Sequence, residues 1–307
     1  MGAWLDKALE ESNLQLAWSM LQGDTAPWSP GISRDSMERS RLRYQLELLN
    51  AVRQGTYSPE AIRQFTVSKA DGSVRVISAL YLRDKFLQRA VLQAVTPIGE
   101  RLFHPDSFAY RPHRSVYGAL VKTQERVRCG LGWLVDADIQ SFFDRIPRRT
   151  LLARVHELLQ DRELLRLLDA WLSLCPNTQG ELGQPRGIPQ GAVLSPWLCN
   201  LYLHQVDQEW ARLGIPFVRY ADDFLLFLPD EARARQALVL TQHLLEREGL
   251  SLNPAKTQVI RASNSVRFLG HCILEHPKKY YAARKAPRRP WWRRILQQLA
   301  SRLAKRL

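Results

Sequence analysis

Cysteine is scarce in this chain: its 307 residues include only Cys129, Cys175, Cys199 and Cys272, far apart and with no paired spacing. That excludes a disulfide framework and a cysteine zinc site, and leaves small buried hydrophobes as the plain use. The seven histidines show no metal-ligand spacing, and no Ser/His/Asp set stands out. Long apolar runs are missing too, with nothing near the roughly 18 residues of a membrane span. Residues 1–12 carry Asp6, Lys7, Glu10 and Glu11 and lack a signal-peptide core, and Asp6 stands where a myristoylation signal needs Ser or Thr. A cytoplasmic protein is expected. Internal repeats are absent, and the basic end is the sole low-complexity tract.

Acid runs out near the C-terminus. Eleven Lys or Arg and no Asp or Glu follow Glu275, so a total charge of +14 leaves the first 276 residues at only +3. The body is nearly neutral and the tail is a polycation. From Pro290 onward Trp291, Ile295, Leu299, Leu303 and Leu307 step by four, with Arg293 and Arg294 among the bases between. The pattern predicts a basic amphipathic helix. It suits a short thumb tracking a nucleic-acid backbone, a surface for a partner or further domain, or a helix lying on a membrane surface. The rest of the chain offers no support for the last.

With 45% apolar residues the chain can bury a sizeable core. Residues 1–55 are expected to be helical, with an apolar stripe through Leu42, Leu46 and Leu49 and a loop at 27–30. Val74-Arg75-Val76-Ile77 reads as a strand introduced by the turn pair Asp71-Gly72. A helix through Phe86, Leu87, Ala90, Val91 and Ala94 is expected to stop near Pro97. Residues 151–174 read as one long helix with leucines on most faces. Leu203, Val206, Trp210 and Leu213 place another helix after Pro189-Gln190-Gly191. Strands and helices alternate irregularly, which points to an α+β fold.

The chemistry concentrates at Tyr220-Ala221-Asp222-Asp223, between the apolar runs Phe217-Val218-Arg219 and Phe224-Leu225-Leu226-Phe227-Leu228. That is a hairpin with adjacent carboxylates at its tip. Such neighbours repel each other unless a cation sits there, and Mg²⁺ prefers carboxylate oxygens. A third acid appears upstream in Trp133-Leu134-Val135-Asp136-Ala137-Asp138-Ile139. Strand geometry alone does not separate Asp136 from Asp138, since residues at i and i+2 share a face. The pattern predicts a two-metal nucleotidyl-transfer site.

Further blocks surround it: Lys69-Ala70-Asp71-Gly72-Ser73-Val74-Arg75, Asp106-Ser107-Phe108-Ala109-Tyr110-Arg111-Pro112-His113-Arg114-Ser115, and Asp138-Ile139-Gln140-Ser141-Phe142-Phe143-Asp144. Gly187-Ile188-Pro189-Gln190-Gly191, Leu252-Asn253-Pro254-Ala255-Lys256-Thr257 and Phe268-Leu269-Gly270 complete the set. In order and spacing, over about residues 60–275, the chain resembles prokaryotic reverse transcriptases of the group II intron-like and CRISPR-associated lineage. Residues before 60 match more weakly, and nothing after 276 resembles an intron-encoded thumb and maturase or an endonuclease domain, which argues against a mobile-intron role.

The resemblance implies a right-hand polymerase fold with fingers, a palm of antiparallel sheet plus helices, and a short or truncated helical thumb. Its expected divisions are an N-terminal helical extension (1–60), fingers (61–130), palm (131–275) and a basic tail or minimal thumb (276–307). It selects Asp138 as the first carboxylate. Asp138, Asp222, Asp223 and the Ile139 carbonyl would hold two Mg²⁺ ions, for which Mn²⁺ could stand in. Lys256 would help protonate pyrophosphate. Phe143 would lie beneath the incoming sugar and exclude a ribose hydroxyl, while Asp144 is structural. Lys69 and Arg75 would grip the triphosphate, and Gln190-Gly191, taken to open a helix, would approach the nucleotide. Arg111, Arg114, Tyr220, the Phe268-Leu269-Gly270 primer grip and the tail residues Arg288, Arg289, Arg293 and Arg294 would contact nucleic acid.

The activity so implied is RNA-directed DNA polymerisation with dNTPs, an RNA template and a DNA or RNA primer. It could supply cDNA to CRISPR integrase proteins for spacer acquisition. Template-independent or protein-primed DNA synthesis in phage defence, or an RNA-binding maturase or scaffold, are the alternatives. A nucleotide cyclase would need neither fingers, primer grip nor the Asn-Pro-x-Lys-Thr block.

Overall fold

Four helices open the chain: α1 (Ala3–Ala8), α2 (Glu11–Ser19), α3 (Arg34–Arg39) and α4 (Arg41–Arg53). A hairpin of β1 (Arg63–Ser68) and β2 (Val74–Ala79) leads into α5 (Leu82–Leu102) and α6 (Val116–Arg128). After β3 (Trp133–Asp138) come α7 (Phe142–Arg145), α8 (Arg148–Leu159), α9 (Arg162–Ser173) and the short pair β4 (Thr178–Gln179) and β5 (Pro185–Arg186). Then follow α10 (Ser195–Arg212), β6 (Phe217–Tyr220), β7 (Asp223–Leu228), α11 (Glu231–Arg247) and β8 (Gln258–Arg261). The hairpin β9 (Arg267–Phe268) and β10 (His271–Cys272) comes last. This computed structural model describes residues 2–68, 74–175, 178–179 and 185–275; Lys69, the Arg75 side chain and the tail from 276 lie outside them. Among the described residues no helix is long and apolar enough to cross a membrane.

The central sheet runs in the order β6-β7-β3-β8, every pair antiparallel. β7 is continuously apolar from Phe224 to Leu228 because both of its faces are covered. Leu134, Val218, Leu225 and Phe227 pack with Ala119 and Leu120 of α6 in one core. Alternate residues Val135, Phe224 and Leu226 join a larger core with α8, α9, α10 and α11. That larger core also takes Leu5 and Ala8 of α1 and Leu49 and Val52 of α4, so the N-terminal helices and the sheet share one interior.

Several elements depart from the sequence reading. The expected helix over 151–174 is two helices, broken where Gln160 turns left-handed (φ 50°) and Asp161 starts α9. Asp161 is buried and caps two helices: its carboxylate accepts from Leu164 N (3.0 Å) and from Trp4 N and Leu5 N (both 2.9 Å). α5 runs through Pro97 to Leu102, because its buried face continues past the proline at Gly99 and Phe103 follows in the same core. The α4 stripe is rotated: Leu48, Leu49 and Val52 are buried, whereas Leu42 is 69% exposed. α10 starts at Ser195, not at Gln190-Gly191. The Gln88 side chain accepts from Val193 N and Leu194 N at 3.1 and 3.4 Å, so amides beside that helix start already have a partner.

Candidate functional site

The register of β3 and β7 places Asp138 directly opposite Asp223, and that of β6 and β7 places Tyr220 opposite Asp223. Directly opposed residues share a face, so Asp136, Asp138, Tyr220 and Asp223 lie on the α6 side of the sheet with Leu134 and Leu225. The loop between β6 and β7 is only Ala221 and Asp222, and Ala221 is buried with φ 61°. An alanine in that region carries local backbone strain, here at the tip that aims Asp222.

Like charges directly opposite each other are unfavourable. The Asp223 carboxyl is accordingly pushed up to about 7, by desolvation first, then by Asp222 and Asp138, with Lys256 pulling the other way. More than a third of its surface is open to solvent, so the repulsion from its neighbours is the part that a bound cation would reverse. Asp136 is raised as well, by burial and by Asp138, while Gln258 Nε2 donates to it at 3.1 Å.

The turn after α11 is docked on Asp138. Asn253 N donates to the Asp138 carbonyl (2.8 Å), Asn253 Nδ2 reaches its carboxylate at 3.4 Å, and Lys256 Nζ lies 3.3 Å from Oδ2. Gln140 N donates to Ser251 O and Asn253 N to Asp138 O, which is a bridge of Ile139 with Leu252. In such a bridge the middle residue's own backbone groups point the other way. The Ile139 carbonyl therefore faces the β7 side, where the strand register would bring Asp222 opposite it.

The donors fit a hard divalent cation, being carboxylate and carbonyl oxygens crowded until they repel. Among the described residues no three or more acidic, histidine or cysteine side chains group as a metal-holding set.

Other expected residues fall into place differently. Phe142 is buried at 1% exposure, while Phe143 is half-buried, edge-on to it at 5.5 Å and packed against the same core. Ile188 N donates to the Phe143 carbonyl at 2.7 Å, which ties the segment leading into Pro189-Gln190-Gly191 to the backbone of Phe143. Gly191 has a packing reason of its own: at φ 101°, a Cβ would stand 2.9 Å from the Ser78 carbonyl. Ser78 N donates to Gln190 O at 2.7 Å, so the turn is stitched to β2.

Arg111 corrects the expectation of a phosphate contact. It is buried, bonded to both Glu100 carboxylate oxygens at 2.9 and 3.1 Å and to the His104 and Ser107 carbonyls at 2.7 and 2.8 Å. Its donors brace the loop from inside. Arg114 is half-buried over the Phe108 ring and bonds the Pro105 carbonyl. Phe268-Leu269-Gly270 does form a hairpin, with Leu269 at φ 54° and Gly270 at φ 77°, and Phe268 packs in the α6-side core. Lys69, the Arg75 side chain, Arg288, Arg289, Arg293 and Arg294 lie outside the described residues.

Sequence reasoning passed over Asn253, although it sits in the quoted Asn-Pro-x-Lys-Thr block. It also passed over Arg219, whose signal was a lone cation inside an apolar strand, and Asp207, an acid on the buried face of α10.

A sheet that presents a short acidic hairpin beside a third carboxylate, with a second hairpin docked on the turn before α10, is the palm and fingers of a right-hand polymerase. Residues 67–273 match the model of the family described as reverse transcriptase (RNA-dependent DNA polymerase), and the chain belongs to that family. Protein YkfC of Escherichia coli (strain K12) is 28% identical over 306 residues, covering 84% of this chain and 78% of YkfC. The group II intron-encoded protein LtrA of Lactococcus lactis subsp. cremoris is 29% identical, over 66% of this chain and 34% of LtrA. The retron Mx162 reverse transcriptase of Myxococcus xanthus is 30% identical, over 72% of this chain and 48% of that protein. The chain thus spans about a third of one of these relatives and half of another. Among solved structures, telomerase from Candida albicans shares the fold at a TM-score of 0.51 and 15% identity, over 78% of this chain and 48% of that one. A Cas6-RT-Cas1–Cas2 complex aligns at a TM-score of 0.46 and 24% identity, over 79% of this chain and 40% of that one.

Proposed function

We propose that this chain is an RNA-directed DNA polymerase that extends a primer 3′ end with dNTPs by nucleotidyl transfer. The observation that carries the reading is the directly opposed pair Asp138 and Asp223, beside Asp222 and within reach of Lys256. Asp138, Asp222, Asp223 and the Ile139 carbonyl are the proposed ligands. Mg²⁺ held there would acidify the primer 3′-hydroxyl and neutralise the leaving pyrophosphate.

Around that centre the chain's residues orient and select. Lys256, 55% exposed at its side chain and 3.3 Å from Asp138, would turn toward the pyrophosphate and give it a proton. Phe143 offers the half-open ring that would exclude a ribose 2′-hydroxyl. Gln190 and Gly191, with Lys69 and Arg75 of the fingers, would line the nucleotide. Tyr220 and the Leu269-Gly270 tip would meet the primer, Arg114 the template, and Arg288, Arg289, Arg293 and Arg294 the duplex backbone. Supply of cDNA to CRISPR integrases is the finer proposal; the motif resemblance supports it.

The test is Mg²⁺-dependent dNTP incorporation on a primed RNA template, comparing wild type with Asp222→Ala/Asp223→Ala. Templated extension lost in the double variant upholds the reading. RNA binding without incorporation on RNA or DNA would replace it with the scaffold reading, and untemplated products would point to template-independent synthesis.

A further inference from the structure

Behind the acidic hairpin lies a polar array with no access to solvent. Arg219 of β6 and Asp207 of α10 are both 0% exposed at their side chains, and they pair bidentately at 2.7 and 2.6 Å. Arg219 Nη1 donates to the Ala221 carbonyl (2.9 Å), inside the two-residue loop, and to Asn200 Oδ1 (3.0 Å). Asn200 is 1% exposed, and its Nδ2 donates to the Ala109 carbonyl at 2.8 Å. The backbone of Arg219 is engaged as well: its N–H donates to Asp106 O and its carbonyl accepts from Phe108 N, both at 2.9 Å. One side chain therefore touches the strained loop, the helix beneath it and, through Asn200, the segment beside β6.

A bidentate buried pair of this kind is often matched in stability by apolar side chains of similar volume. Stability alone therefore gives no reason for a charge here. What an apolar pair lacks is a donor for the Ala221 carbonyl, whose peptide links the left-handed Ala221 to Asp222. We infer that Arg219, held by Asp207 and Asn200, is a positioning residue: it fixes the loop conformation that sets Asp222 and Asp223 against Asp138. This rests on the polymerase reading for its effect on rate, though not for its effect on the loop.

The experiment compares wild type, Asp207→Leu/Arg219→Met and Asn200→Ala, with Asp222→Ala as the inactive control. Hydrogen exchange is followed at residues 217–226 and across the whole chain, with Tm measured in parallel. The apolar pair should speed exchange locally at 220–223 while the rest of the sheet keeps its protection. Its kcat per folded molecule should fall about tenfold to a hundredfold, the range of one lost charge-assisted hydrogen bond, with the KM for dNTP little changed. Asn200→Ala should shift both readouts in the same direction by less. Wild-type exchange at 220–223, or loss of protection spread evenly through the chain, would overturn the inference, and so would an unchanged kcat in a folded double variant. A wild type that incorporates no dNTP would sink the polymerase reading, while the exchange comparison would still decide the role of Arg219.

Discussion

Replacing Asp84 by asparagine should remove a pH dependence that the wild-type fold carries between about pH 4 and 6. Asp84 is 0% exposed at its side chain. Its carboxyl accepts from Tyr57 Oη at 2.6 Å and Glu60 N at 3.1 Å, and Trp171 Nε1 donates to the same tyrosine oxygen at 2.8 Å. Burial comes first among the causes that push the group from 3.8 up to about 6, against the hydrogen bonds and Arg83. The folded protein therefore binds a proton that the unfolded chain has released. Stability falls as pH rises through that window and levels off above it. A shift of this size corresponds to about 3 kcal/mol in full, of which about 2 kcal/mol falls between pH 4.5 and 7.5. Asparagine copies the protonated shape and does not titrate. Its stability relative to wild type should therefore climb by about 2 kcal/mol over that interval, whatever constant cost it carries from facing the Glu60 N–H. Urea unfolding followed by tryptophan fluorescence measures it, with Trp171 inside the network. Parallel curves for the two proteins would refute the argument.

The other expectations concern the cleft. Because Asp223 is raised to about 7 by burial and its neighbours, the fold loses stability as pH rises from about 4 and the loss is complete above 7. Asp223→Asn should raise the Tm of the metal-free protein at pH 8 by a few degrees, show a smaller gain at pH 5, and lose incorporation; an unchanged Tm at pH 8 would contradict the raised value. Gly191→Ala places a methyl 2.9 Å from the Ser78 carbonyl at a positive φ and should cost about 1–3 kcal/mol, seen as a lower Tm and easier proteolysis of the β1–β2 hairpin. Phe143→Ala should raise the kcat/KM for ribonucleotides relative to deoxynucleotides by roughly tenfold or more, and unchanged discrimination would return the ring to a packing role.

The acidic hairpin and its partner strand were legible in the sequence because their information is local. An apolar run, a short polar tip and a second apolar run specify a hairpin, and period-two alternation puts Asp136 and Asp138 on one face. The ordered blocks then carried the family, the α+β class and the choice of Asp138. Helix ends were less legible, for a long-range reason. Pro97 was outvoted by a buried face that continues past it, and the break at Gln160 gained a partner in α1 only through Asp161.

What tertiary structure alone decided is which polar groups are consumed inside the fold. Arg111 and Arg114 look alike in sequence, yet one is buried on Glu100 and two carbonyls while the other lies half-open on a ring. Gly191 looks like a nucleotide-facing glycine, and only the fold shows that the Ser78 carbonyl is packed against it as well. Asn200 and Asp207 share a face of α10 at i and i+7, but Arg219 lies on another element, and only the packing of α10 under β6 brings their hydrogen bonds together. Sequence by itself determined the acidic hairpin and the strand that carries Asp138, because propensity and periodicity act over a few residues, and its ordered blocks determined the family. The pairing of buried charges was left to the fold, because desolvation depends on every element packed around a group.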